Sequence, residues 1–179
     1  MQCGAMAMND IVSAENLPRA RGIKAAVAVT MLKNFRSPKN QAEARADCRM
    51  RHALLYSSGY EFDDGVFKDL SKHSGAVVFS FSDIICEKGF RRAIVLSKMR
   101  LALGACRKSG CGAVACTLAK DENSLRSARE LEAFMAVLGM NEHEKAHAEE
   151  CMEKMIIFSR IGTGASSNKM EKMATPVGI

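Results

Sequence analysis

Short continuous apolar runs alternate along this chain with segments whose apolar residues recur at helical spacing. Residues 25–32, 52–56, 76–81 and 112–117 are runs of the first kind and read as strands, the first of them, with Val27 and Val29, as a buried parallel-type strand. Between them lie predicted helices. Residues 37–50 are polar and Ala-rich, with Pro38 in the opening turn. Residues 64–73 carry Val66, Phe67 and Leu70 at helical spacing, and residues 90–108 carry Val95, Met99, Ala102 and Cys106 along one stripe.

The sharpest boundary is Ser127-Ala128-Arg129-Glu130, a capping box in which each side chain satisfies a backbone N–H at a helix start. Leu131, Phe134, Met135 and Leu138 follow at i, i+3, i+4 and i+7, and Gly139 stops the helix. Asn141 caps a last helix with Ala148, Cys151, Met152, Met155 and Ile156 as its apolar face. Residues 1–8 show no period and read as disorder or a weak strand. Residues 162–179 are rich in Gly, Ser and Lys and read as a disordered tail behind a single domain over 1–161.

Strands alternating with helices over short links imply βα units and a parallel sheet. A full eightfold barrel needs ~250 residues, and only four or five strands are readable here. The expected fold is therefore α/β, a parallel-stranded (β/α) TIM-barrel-like architecture, shortened or incomplete.

Charge sharpens this reading. The net charge is +6, and the signs are segregated along the chain. Residues 86–129 carry ten Lys/Arg against three Asp/Glu, whereas residues 130–160 carry three against seven. A segregated basic face is the footprint of nucleic-acid binding, set against ordinary solvated cations as the plain alternative. Seven Cys without a C-x-x-C pair suit free thiols in a reducing compartment rather than a disulfide framework or a zinc ribbon. No apolar run is long enough to span a membrane, so the expectation is a soluble, cytoplasmic protein with no membrane partner.

Signatures of catalysis are sparse. No dinucleotide fingerprint, Walker loop or nucleophile elbow occurs. His143-Glu144-Lys145-Ala146-His147 does spell H-E-x-x-H, but it opens a helix in the most acidic segment and reads as a solvated face. Asp63-Asp64 reads as a helix cap.

Two basic constellations remain. The long helix carries Arg91, Arg92, Lys98, Arg100, Arg107 and Lys108. The loop after the strand at 112–117 carries Lys120 and Arg126, with Arg129 just beyond, at the strand end where α/β barrels place their sites. Arg126, Arg129 and the helix amides are expected to hold a phosphate, against the alternative that Arg126 pairs with Asp121 or Glu122. The Met-bearing segments 131–140 and 151–156 are candidates for burial against another subunit.

Phe79-Ser80-Phe81-Ser82-Asp83, then Leu96-Ser97-Lys98-Met99-Arg100-Leu101, then Ala119-Lys120, Leu125-Arg126-Ser127 and Leu138-Gly139-Met140 stand in one collinear order. In this the chain resembles the thirty-kilodalton protein subunit of archaeal and eukaryotic ribonuclease P. The resemblance runs from about residue 52 to 157 and is clearest over 76–140. It departs at Thr117-Leu118-Ala119, where the family has a Ser-rich stretch, and at Ala128, where the family has Pro. It implies a barrel related to the PHP phosphoesterases. It also implies a non-catalytic role in an endoribonuclease holoenzyme whose RNA, with its bound Mg²⁺, removes the 5′ leader of precursor tRNA. The implied partners are the ribonuclease P RNA, precursor tRNA and a small RRM-like protein subunit, with no cofactor held by the chain itself. Lys120 and Arg126 match family basic residues implicated in RNA contact, and Arg91, Arg100 and Arg107 follow more loosely. The full RNA-binding set is Arg91, Arg92, Lys98, Arg100, Arg107, Lys120, Arg126 and Arg129. A small metal-dependent PHP-like phosphoesterase and a generic α/β interaction protein are the alternatives.

Overall fold

A computed structural model describes residues 8–13 and 20–161, and the side chains of residues 159–161 are not included. The expectations for residues 1–7 and for the tail at 162–179 lie outside the described residues.

The fold is mixed α/β, with parallel strands in two sheets. β1 (Met8–Val12) pairs with β2 (Ile23–Ala28). The second sheet runs β3 (Phe35–Arg36), β4 (Leu54–Leu55), β5 (Ala76–Ser80), β6 (Gly112–Cys116) in that order. The chain leaving β6 joins the sheets: Leu118 N–H donates to Ile11 O at 2.9 Å and Ser13 N–H to Ala119 O at 2.8 Å. No closed barrel forms among the described residues.

The crossovers are α1 (Gln41–Asp47), α2 (Asp64–Lys72), and the pair α3 (Phe81–Cys86) and α4 (Gly89–Ser109). After β6 come a 3-10 turn at Glu122–Ser124, α5 (Ala128–Leu138) and α6 (Glu142–Ile161). Alternation along the strands sorts the core into two faces. Leu55, Val77, Phe79 and Ala115 pack with residues of α1, α2, α4 and α5. Ile11, Val27, Leu54, Ala76, Val78, Val114 and Cys116 pack on the other face with Met152, Met155 and Ile156 of α6.

α6 crosses the amino-terminal ends of the strands. Cys151 Sγ lies 2.8 Å from where a Cβ on Gly112 would stand, so only glycine fits the first position of β6. Lys24 Nζ reaches Glu153 at 2.8 Å, and the Asn34 amide approaches Met155 O at 3.4 Å. His52 and Phe158 bring their rings to 4.5 Å.

Several predicted bounds shift, each for a local reason. The run 25–32 is strand only to Ala28 and then turns in a 3-10 helix at Val29–Met31. The helix expected from residue 37 begins at Gln41, because the Asn40 side chain accepts from Glu43 N–H. Phe81 belongs to α3 rather than to the strand: the Phe-Ser alternation reads as a strand, but the chain turns helical after Ser80. Neither β1 nor β3 follows from periodicity, since each is short and interrupted by polar residues such as Asn9, Asp10 and Arg36.

Candidate nucleic-acid interface

Buried polar groups line the carboxyl ends of the strands. Asp10 in β1 is 1% exposed, and its carboxylate spans Thr117, accepting from the amide at 2.7 Å and lying 2.6 Å from Oγ1. Burial pushes its pKa up to about 6, against the Thr117 hydrogen bonds. Ser82, in the first turn of α3, donates its hydroxyl to Thr117 O at 2.6 Å and so ties the ends of β5 and β6.

Tyr56 and Tyr60, the two tyrosines of the chain, follow β4 and converge on Asp83. Their hydroxyls donate to its two carboxylate oxygens at 2.9 and 2.6 Å. The Tyr60 oxygen also accepts from Ser80 N–H at 3.0 Å, and its ring stacks on Phe79 at 5.6 Å. Burial and the Asp83 charge hold both phenols above their ordinary range, so both stay protonated donors. Burial raises Asp83 as well, opposed by the two tyrosines and by the nearby Lys120 charge.

The loop that follows β6 leaves this network for solvent. Leu118 sits at φ 45°, a left-handed conformation costing a branched residue about 1 kcal/mol or more. Its buried side chain and the Ile11 hydrogen bond hold it there. Lys120 emerges exposed, and Asp121 caps the 3-10 turn through Ser124. Arg126 is then fixed by three groups. One guanidinium nitrogen donates to Asn123 O at 2.7 Å and to Leu125 O at 2.6 Å, and Nε lies 3.7 Å from Glu130. Its guanidinium lies 6.0 Å from the centroid of the Phe81 ring, which stacks on Phe134 of α5 at 4.9 Å. The ion pair is therefore with Glu130, not with Asp121 or Glu122.

The capping box forms as the sequence implies, with Ser127 and Glu130 each meeting the other's amide. This corrects one expectation. Ser127 N–H is taken by Glu130 at 2.8 Å, Glu130 N–H by Ser127 Oγ at 3.4 Å, and Ala128 N–H by Arg21 O at 3.0 Å. Those amides are not offered to a phosphate. Of the first amides of α5, Arg129 N–H alone has no hydrogen bond among the described residues.

The cations of α4 lie in the outer layer, apart from that loop. Lys98 pairs with Glu61 at 2.6 Å, and Arg92 donates to Glu87 O at 2.8 Å. Arg100 donates to Val137 O at 2.7 Å. Arg107 makes a bidentate pair with Glu144 at 2.6 and 2.8 Å and donates to Gly139 O at 2.7 Å. Arg100 and Arg107 thus satisfy orphan carbonyls at the end of α5. Arg91 and Arg129 are exposed and make no hydrogen bond or ion pair among the described residues.

The H-E-x-x-H segment is structural. Glu144 accepts from Asn141 N–H at 2.8 Å while its own N–H reaches Asn141 Oδ1 at 2.9 Å, a further capping box. The Arg107 guanidinium holds its carboxyl down at about 2. Among the described residues no three His, Cys, Asp or Glu come together as metal ligands. Cys48, Cys86, Cys106, Cys111, Cys116 and Cys151 are free thiols. No described helix is long and apolar enough to cross a membrane.

On the Met-bearing helices proposed as partner surfaces, the methionines themselves supply no such surface. Met135, Met140, Met152 and Met155 are all buried in the core. The periodicity that made them look adhesive is that of an inward face.

The sequence reading missed Asp10, Tyr56, Tyr60 and Asp83. Only the placing of both tyrosines within five residues, just after a strand, hinted at them.

A hollow of about 210 Å³ lies beside residues 38–41 and 57–62, and one of about 380 Å³ beside His52, His147 and Cys151. Neither borders Lys120 or Arg126.

No protein-family model and no curated protein matches the chain. Among solved structures it is similar to a chain of a cryo-EM structure of archaeal ribonuclease P with mature tRNA, with a TM-score of 0.64 and 20% sequence identity. The match covers 77% of this chain and 65% of that chain. At this identity the likeness is one of fold: the chain shares its α/β architecture with a component of an archaeal ribonuclease P particle.

Proposed function

We propose that this chain is a protein subunit of a ribonuclease P ribonucleoprotein, of the thirty-kilodalton family, that binds the catalytic RNA and supports removal of the 5′ leader of precursor tRNA. The observation that carries the reading is the shared fold, combined with a basic loop at the carboxyl ends of its parallel strands. In α/β sheets of this kind those ends carry the functional groups. In this reading the fold is a shortened barrel and the chain works in the cytoplasm beside a small RRM-like subunit. Bond breaking falls to the RNA and its Mg²⁺, with no cofactor on the protein.

The physical task is charge neutralisation. A compact RNA brings phosphates together, and cations from the protein replace the counterions that would otherwise be confined there. Arg126 suits this role because its guanidinium is already immobilised, so little side-chain entropy is lost on binding. Lys120 and Arg129 add mobile charge beside it. Arg91, Arg92, Lys98, Arg100 and Arg107 lie apart from this loop on α4, and all but Arg91 are already bonded within the chain.

Reconstitution of precursor-tRNA cleavage with the cognate RNA, with and without the chain, tests the reading. Added protein should raise cleavage at limiting Mg²⁺. Lys120→Glu and Arg126→Glu should each weaken RNA binding by about tenfold and reduce its salt slope by about one. Cleavage by the protein alone, or RNA affinity indifferent to both reversals, would overturn it.

A further inference from the structure

We infer that the outward face of α4 is a docking surface for a second, different protein, one that presents apolar side chains edged by carboxylates. α4 has two apolar faces. Met99, Ala102, Leu103 and Cys106 are buried against the sheet layer. On the opposite side Phe90, Ile94 and Leu101 fall in line at helical spacing and are 80%, 40% and 73% exposed. The stripe runs about 16 Å along the helix. Val137 of α5, whose carbonyl holds Arg100, adds a further exposed apolar side chain. Solvated helix faces carry polar residues, and a Phe and a Leu left this bare in one line mark a contact surface.

Charge identifies the occupant. α4 contains no Asp or Glu over its 21 residues. Arg91 and Lys98 border the stripe on one side, Arg100 and Arg107 on the other, and Lys108 stands at its end. Lys98 and Arg107 already have carboxylate partners in Glu61 and Glu144. Arg91, Arg100 and Lys108 have none among the described residues. A second copy of this chain would set two carboxylate-free helices side by side, like charge against like. Nucleic acid would satisfy the cations but leave Phe90, Ile94 and Leu101 without apolar cover. An acid-edged apolar face satisfies both.

This inference is independent of the RNA-binding reading. A photoreactive benzophenone residue is placed at Leu101 in the full chain inside its own cells, with Lys68, exposed on α2, as the control position. The expected result is a crosslink from position 101, absent from position 68, to one protein whose crosslinked peptide is apolar and flanked by Asp or Glu. With that protein purified, Leu101→Ser and Ile94→Ser should each weaken association by about tenfold while leaving the melting transition in place, since both side chains are exposed. Arg100→Glu should weaken it as well, and Lys120→Glu should leave it intact. Crosslinks to nucleic acid, to another copy of this chain or to a Lys/Arg-rich peptide would overturn the proposal, as would none at position 101 or unchanged association in the Ser variants.

Discussion

The six parallel strands of the two sheets have ends of opposite character. At the amino ends α6 lies across the strands, and Met152, Met155 and Ile156 fill the space with apolar side chains, the two methionines flexible and the isoleucine branched. At the carboxyl ends the side chains are Asp10, Thr117, Tyr60 and Asp83, tied by short hydrogen bonds, and the loop beyond them exposes Lys120. One end is closed by packing. The other is held open by a polar lattice that fixes loops without covering them. Stability and chemistry can therefore be altered separately, because a helix plugs one end and short loops form the other.

Three changes probe that division. Met155→Ala, at the closed end, should have the largest effect. It removes a fully buried side chain and should cost about 3 kcal/mol in denaturant unfolding, with the RNA affinity of the folded fraction unchanged. A matching loss of RNA affinity in folded protein would show that the two ends are coupled.

The pH profile should come next. Asp10 has its folded pKa raised from 3.8 to about 6, so the folded protein binds the proton more tightly than the unfolded chain does. Its contribution is fully present below about pH 4 and is lost as pH rises towards about 6, a decline of about 3 kcal/mol. Asp10→Asn should flatten that decline in melts taken from pH 4 to pH 7. An unchanged slope would locate the proton elsewhere.

Tyr60→Phe should have the smallest effect. It strands Ser80 N–H and one oxygen of Asp83, at a cost of about 1–2 kcal/mol by thermal melting. Combined with Asp83→Asn it should cost less than the two changes summed, because both act on one network. Additive costs would mean that the lattice is a set of separate bonds.

Legibility in the sequence followed the range of the interaction. The α5 capping box was readable because both partners lie within four residues, and so was the Asp63 cap of α2. α4 was readable from its buried stripe, and β5 and β6 from their apolar runs. The site was legible only in part. Lys120 and Arg126 stood out as charges after a strand, but nothing local indicated that Arg126 is held by Asn123 O and Leu125 O and lies beside Phe81, 45 positions earlier. Asp10 and Thr117 are 107 residues apart and stayed invisible as a pair.

The same limit separates what each level decided. Local pattern determined that strands and helices alternate, where most helices stop, and that the cations cluster in two stretches, because these depend on backbone and neighbouring side chains. Tertiary structure decided which apolar face turns inward, sending the methionines of α5 and α6 to the core and leaving Phe90 and Leu101 outside. It also decided which cations are spent on carbonyls and carboxylates within the chain and which stand exposed without such partners among the described residues. Periodicity specifies that a helix has a face but not what will meet it, and only the packed neighbours supply that answer.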